Sequence, residues 1–268
     1  MSQNKELNYK AVNIRKNILK IAHSSKGPHS GTALSCVDIL AVLYFKILKI
    51  ASFSDANRDI FIMSKGHGAM ALYATLFEKG YLEEKAFLSY YQNGGALPAH
   101  LDKETCKAIE VSSGSLGHGL PQALGFAYAK KLKNLSSQVY VLMGDGETQE
   151  GSVWEAAMLA PKMGLDNLTI LIDRNNLQGY GRPSELVSFE SLDEKFKSFN
   201  WDVHRVNGHD LHALEVALKA LQNKPKAIIC DTIKGKGVSF MEDEMKWHYF
   251  IVTNAFLEQG VRELEASL

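Results

Sequence analysis

Leu7, Ala11, Ile14, Ile18 and Ile21 recur at helical spacing with Lys10, Arg15 and Lys20 between them, so the first twenty-odd residues are predicted as an amphipathic helix. A second helix is expected over about 35–48. From there the pattern alternates. The short apolar run IFIM (60–63) reads as a strand, SKGHG as a turn and ALYATLFEKG as a helix. Further on, GLPQALGFAYAKKL is helical, QVYVLM a strand, GSVWEAAMLAPKM helical and LTILID a strand. A helical pattern in the 190s, the strand WDVHRV, the helix LHALEVALKALQ and the strand KAIICDTI complete the rhythm. Strands alternating with helices imply right-handed crossovers. The expected fold class is therefore α/β: one doubly wound parallel sheet with helices on both faces, spanning 1–268 as a single domain. After Lys234, the glycines of IKGKGVSF suggest a mobile loop, followed by a last amphipathic helix near 253–267.

Composition narrows the function. The 268 residues carry 30 basic and 30 acidic side chains with no long basic block, so nothing draws the chain to nucleic acid or anionic lipid. Cys36, Cys106 and Cys230 are far apart and lack C-x-x-C spacing, which argues for buried thiols in a reducing cytoplasm rather than disulfides or a zinc site. The polar start MSQNKELNYK is unlike a signal peptide, and VDILAVLYF is too short to span a bilayer. A cytoplasmic protein acting on a small partner is expected.

Candidate chemistry lies where strands end. Gly144-Asp145-Gly146 and Asn175-Asn176 each follow a strand, the side of an open parallel sheet on which ligands bind. Asp145 and Asn175 are 30 positions apart, the content of one helix and one return strand, so both reach the same sheet edge. Two hard oxygen ligands suggest Mg²⁺ shared with phosphate oxygens. Gly144 and Gly146 would let backbone N–H groups approach the phosphate. Taken alone, GDG is as readily a strand-to-helix turn with Asp as the cap; the Asn pair after one crossover changes the balance. GDGETQEG lacks the third glycine of G-x-G-x-x-G, and no G-x-x-x-x-G-K-[ST] occurs.

The combination of GDG, about thirty residues and NN resembles the thiamine-diphosphate signature. The likeness covers roughly residues 10–250 and is nearest the amino-terminal half of transketolase, as found in transketolases split into two subunits. It is carried by GDGETQEGSVWEAAMLA, SGSLGHGLPQALG (113–125), MSKGHGAMALYA (63–74) and DRNNLQGYG (173–181). The resemblance implies that Asp145, Asn175 and the main-chain oxygen of Leu177 bind Mg²⁺ (or Ca²⁺ or Mn²⁺), which holds the diphosphate. Gly146, His67 and His248 would touch the diphosphate, and Gly114 and Leu116 the aminopyrimidine. His29, His67, His100 and His248 match active-site histidines that bind sugar oxygens and shuttle protons, a task suited to a near-neutral pKa. His23, His204, His209 and His212 are assigned no role. Glu150 and Glu155 read either as a solvated helix start or, by family likeness, as part of an acidic network at the subunit interface.

The activity implied is transfer of a two-carbon ketol unit from a ketose to an aldose, sugars or sugar phosphates being the substrates. The cofactor supplies a carbon nucleophile and an electron sink. The family's catalytic glutamate belongs to a pyrimidine-binding domain that this sequence does not contain, so a separate carboxyl-terminal subunit is the expected partner, two copies of each forming the enzyme. The competing readings are other thiamine-dependent reactions (pyruvate–aldehyde condensation or 2-oxo acid decarboxylation), a catalytically silent binding subunit, or a nucleotide-binding dehydrogenase. Two segments depart from the family pattern: Pro28-His29-Ser30-Gly31 stands where G-H-P-G is usual, and YFIV follows Trp247-His248 in place of Gly-x-Ala-Pro. Both face the substrate side in the family.

Overall fold

The structure is a computed structural model that describes residues 3–188 and 190–268. It begins with α1 (Gln3–Ser25), α2 (Ser30–Ser35) and α3 (Val37–Val42). Strand β1 (Ile60–Met63) is followed by α4 (Ala69–Glu78), α5 (Glu84–Leu88) and α6 (Gly119–Leu132). Next come β2 (Val139–Gly144), α7 (Gly151–Lys162), β3 (Leu168–Arg174), α8 (Pro183–Leu186) and α9 (Leu192–Ser198). The chain closes with β4 (Asp202–Asn207), α10 (Leu211–Lys219), β5 (Lys226–Asp231) and α11 (Asn254–Ala266).

The five strands form one sheet in the order β1-β2-β3-β5-β4, and every pairing is parallel. Successive side chains of a strand point to opposite faces, and the core divides accordingly. Phe61, Met63, Tyr140, Leu142, Leu171 and Ile228 pack under α1, α3, α4 and α10. Ile60, Ile62, Val141, Met143, Ile170 and Ile229 pack under α6, α7 and α9. β1, β2, β3 and β5 read as nearly continuous apolar runs because both faces are covered, whereas β4, at the sheet edge, carries Asp202, His204, Arg205 and Asn207. The crossovers through α6, α7 and α9 step one way along the sheet, and α10 returns on the opposite face as β4 leads back to β5.

The single helix expected over 35–48 is divided. A break at Cys36 separates α2 from α3, and Leu43–Ile47 forms a π-helical turn. Residues 30–44 are buried on every side, so they present no amphipathic stripe from which a break could be read. Cys36 and Cys230 are buried as expected, whereas Cys106 is only half-buried.

The break sets Asp38 in the core. Arg15 grips it through both oxygens at 3.1 and 2.6 Å, and His209 Nδ1 donates to Oδ2 at 2.7 Å. His209 Nε2 in turn accepts the Ile233 N–H at 2.8 Å, which fixes a neutral tautomer, and Arg15 Nε donates to the Lys236 carbonyl at 3.1 Å. The network thus anchors the segment around Lys234 to the amino-terminal helices. That segment, expected as a mobile loop, is packed: Val238 and Met241 are buried, and Gly235 N–H bonds the Gly31 carbonyl at 2.8 Å. Gly235 adopts φ +81, where an added Cβ would lie 2.2 Å from the Met241 carbonyl oxygen.

Burial raises the Asp38 pKa, but the Arg15 guanidinium and the His209 bond outweigh it and leave the carboxyl below its usual range. The stabilisation is therefore complete above the unfolded carboxyl pKa and is lost as pH falls through the lower folded value. Asp38→Ala leaves a buried guanidinium uncompensated, and urea unfolding at pH 7 is expected to show a loss of about 3–5 kcal/mol.

Candidate active site

The sheet register brings the ends of β2, β3 and β5 to one edge. Gly144 at the end of β2 lies beside Asp173 near the end of β3, and Asp173 lies beside Cys230 of β5. Asp145 follows immediately; its Oδ1 accepts the Gly146 N–H at 2.7 Å and its Oδ2 the Asn176 N–H at 2.7 Å. Asn176 takes a left-handed φ of 56, a conformation that Asn tolerates, as it turns its N–H towards Asp145. Asn175 Oδ1 accepts the Leu177 N–H at 3.2 Å. The two loops predicted to converge do so.

Beneath them lies a network that sequence reasoning missed. Asp173 and Lys65 form an ion pair in which both side chains are almost wholly buried. Ser35 donates to Asp173 at 2.6 Å, Thr232 donates to its other oxygen, and Lys65 also donates to the Thr32 carbonyl at 3.1 Å. Burial opposes the charge on each, yet mutual attraction holds the Asp173 pKa below and the Lys65 pKa above its usual value. Glu147 is a second buried acid. It accepts from the Ser64 hydroxyl and from the Gly117 and Gly144 N–H groups at 2.9 and 3.2 Å, and burial raises its pKa. The backbone donors of Gly144 and Gly146, expected to face a phosphate, are therefore both used within the chain.

Four histidines stand above this floor. The His29 ring lies 5.5, 6.0 and 4.9 Å from those of His67, His100 and His248. His29 sits at φ 75, and its N–H bonds the His248 carbonyl at 2.9 Å, tying the amino-terminal turn to the segment that ends in YFIV. Gly114, at φ +143, lets the His100 ring come within 3.1 Å of where a Cβ would be. Lys234 donates to the Leu177 carbonyl at 2.9 Å and to His248 Nδ1 at 3.0 Å, which leaves the His248 proton on Nε2. Burial, followed by the charge of Lys65, lowers Lys234 to about 8. Burial, followed by neighbouring positive charge, lowers His29 to about 4 and His248 to about 3, and sets His67 well below its usual value. His29, His67 and His248 are therefore neutral at pH 7.

One cavity of about 330 Å³ receives His29, His67, His100, His248, Gly114, Leu116, Gly144, Asp145, Gly146, Asn175 and Leu177. Glu150 also lines it, whereas Glu155 lies outside on the exposed side of α7. Lys65, Glu147, Gln178, Lys234 and Tyr249 line it too and were missed by sequence reasoning. Lys65, Glu147 and Gln178 lie inside the motifs MSKGHGAMALYA, GDGETQEGSVWEAAMLA and DRNNLQGYG, and Tyr249 opens the departing YFIV segment, so each stood in a segment already singled out without a role of its own. No group of three or more His, Cys, Asp or Glu side chains is placed to hold a metal among the described residues. The oxygen donors expected to bind one are instead a carboxylate, an amide and a main-chain carbonyl.

A parallel sheet with such a cavity beyond its carboxyl edge is the α/β architecture that binds phosphate-bearing ligands at strand ends. Residues 8–264 match the family described as transketolase, thiamine diphosphate binding domain, and the chain belongs to that family. It is 40% identical to an apulose-4-phosphate transketolase subunit of Actinobacillus succinogenes, covering 97% of this chain and 96% of that one. It is 38% identical to the 6-deoxy-6-sulfo-D-fructose transketolase subunit SqwG of a Clostridium species, covering 97% and 96%. The transketolase structure from Campylobacter jejuni superposes with a TM-score of 0.90 at 29% identity, covering 97% of this chain but only 42% of that one. The chain thus spans nearly all of the subunit relatives and less than half of the single-chain enzyme. No helix among the described residues is long and apolar enough to cross a membrane.

The neutral histidines make the fold acid-sensitive. Their folded pKa values lie below the unfolded 6.5, so the stabilisation is complete above pH 6.5 and declines as pH falls towards the folded value of about 4 for His29. Urea midpoints measured from pH 7 to pH 4.5 are expected to fall less steeply for His29→Asn than for the unsubstituted chain.

Proposed function

We propose that this chain is the amino-terminal subunit of a two-subunit transketolase-type enzyme that transfers a two-carbon ketol unit from a ketose to an aldose. The observation that carries this reading is the meeting of Asp145, Asn175 and the Leu177 carbonyl beneath the four-histidine cluster in one cavity. The subunit designation of the relatives supports a companion chain that bears the pyrimidine-binding domain and the catalytic glutamate, in an assembly with two of each. Those relatives are named for a phosphorylated and a sulfonated ketose, which favours sugar phosphates or similar anionic sugars as substrates here. The unpaired thiols fit the reducing cytoplasm.

The donor set fits Mg²⁺. Asp145, Asn175 and the Leu177 carbonyl offer hard oxygens only, and Mg²⁺ takes few protein ligands when phosphate oxygens complete its shell. Burial and the charge of Asp173 raise Asp145 to about 6, outweighing the N–H bonds it accepts and the nearby Lys65 ammonium, so a further cation beside it would favour the carboxylate. Lys234 lies on the Leu177 carbonyl, a position from which its ammonium can turn to a diphosphate oxygen. Bound thiamine diphosphate would supply the carbon nucleophile and electron sink for carbon–carbon cleavage. Leu116 would pack against the aminopyrimidine, and Gly114 would let it approach. His67 and His248, both neutral, present N–H donors to anionic oxygens, bonds about twice as strong as neutral ones. His29 and His100 face the sugar side, where imidazoles can exchange protons with hydroxyl and carbonyl oxygens.

The purified chain with thiamine diphosphate and Mg²⁺ is expected to show no ketol transfer, and activity should appear on mixing with the companion subunit. In the mixed enzyme, Asp145→Ala should abolish metal-dependent cofactor retention and activity together. Full activity of Asp145→Ala, or ketol transfer by the chain alone, would sink the proposal.

A further inference from the structure

Gln178 is the one polar side chain of the cavity wall with a buried nitrogen that meets no partner among the described residues. Its backbone is fixed from both sides. The N–H donates to the Gly181 carbonyl at 2.9 Å, and the carbonyl accepts from Lys234 at 3.5 Å. The side chain therefore leaves an anchored turn and lies over Gly146. A Cβ added at Gly146 would meet the Gln178 carboxamide carbon at 2.9 Å and Nε2 at 3.0 Å. Gly146 thus makes room for the amide of Gln178, while its own N–H is committed to Asp145.

A buried amide nitrogen without a partner forfeits its hydrogen bonds to water, and such a group in a native structure calls for a missing partner. The surroundings identify its chemistry. The Lys234 ammonium and the neutral rings of His67 and His248 line the same cavity, so an anionic oxygen placed there is met by donors. Resting on the cofactor reading above, we propose that the Gln178 carboxamide is a diphosphate ligand, donating Nε2–H to an anionic oxygen of the diphosphate above Gly146. It takes the place of the backbone donor that Asp145 occupies. The converse orientation, with the amide oxygen turned inward towards the cation, makes opposite predictions for a glutamate at this position.

The test uses the full chain mixed with its companion subunit, with binding of thiamine diphosphate in Mg²⁺ followed by calorimetry and thermal unfolding followed without cofactor. Gln178→Met keeps the bulk over Gly146 and removes the donor. It is expected to weaken binding about tenfold to a hundredfold, the range for a hydrogen bond to a charged group. Unfolding without cofactor should be unchanged or shifted to higher temperature, because the unpartnered nitrogen is gone. Gln178→Glu should weaken binding further, since a carboxylate would then face the diphosphate. Unchanged affinity in Gln178→Met, a matching loss of stability without cofactor, or tighter binding in Gln178→Glu overturns the assignment. Asp145→Asn separates the two levels. If it abolishes binding while Gln178→Met does not change it, only the Gln178 proposal fails. If neither substitution changes binding, or the unsubstituted pair binds no cofactor, the cofactor reading fails and the Gln178 proposal with it.

Discussion

The buried Asp173 carboxylate ties the sheet, the amino-terminal helices and the cavity into one frame. Such a charge is tolerated in the interior only when it is paired and its remaining lone pairs are filled. Its partners come from separate parts of the fold: Lys65 after β1, Ser35 in α2, Thr232 after β5, and Asn175 from the loop after β3. Each requirement of the charge therefore fixes the end of another element. Because parallel strands deliver all their carboxyl ends to one edge, satisfying this one group also sets the positions of Asp145, Asn175 and His67.

The cavity above is organised by charge in two layers. The floor is ionic: Lys65 with Asp173, and Asp145 raised to about 6 nearby. In the wall, His29, His67 and His248 are held neutral by burial and by the positive charge near them. A protonated histidine would stand close to Lys65, Lys234 or another ring, so the arrangement favours neutral donors and acceptors along this wall. Lys234 joins the layers, since one ammonium donates to the Leu177 carbonyl and to His248 Nδ1. The Asp38–Arg15–His209 network holds the backbone on either side of that lysine from more than two hundred positions away in sequence in the case of Arg15 and Lys236.

What was legible in the sequence was whatever is local. The periodicity of α1, the apolar runs of the strands and the GDG and NN turns after β2 and β3 are each written within a few residues, and their places in the sheet follow from right-handed crossovers. The ion pair of Lys65 with Asp173 joins residues 108 positions apart. It leaves no local pattern, and Asp173 reads simply as the end of a strand. His209 looks like a surface loop histidine until Asp38 is found in the core, and Asp38 looks like a helix-surface residue because the division between α2 and α3 falls in a segment buried on every side. Gly235 and Gly237 suggest mobility by composition, but here Gly235 lets the Met241 backbone approach and Gly237 makes room for the Arg15 side chain. Gly146 is similar: the sequence marks it as a place where backbone meets phosphate, and the structure places a side-chain amide there.

The mouth of the cavity bears on the two-subunit reading. Tyr180 and Tyr249 both line it, yet they are 77% and 61% exposed, and Phe250 and Ile251 continue the apolar stretch into solvent. Aromatic and aliphatic side chains gathered around a polar cavity leave apolar surface in water that burial would stabilise by roughly 25 cal/mol per Å². Glu150, exposed at the same rim, would lie beside whatever covers it. A ketol transfer needs its reacting carbon shielded from water, and the floor and histidine wall close only the sides built by this chain. On the two-subunit reading, the same apolar rim that is unfavourable in the isolated chain becomes the contact that closes the site, so assembly and water exclusion follow from one surface.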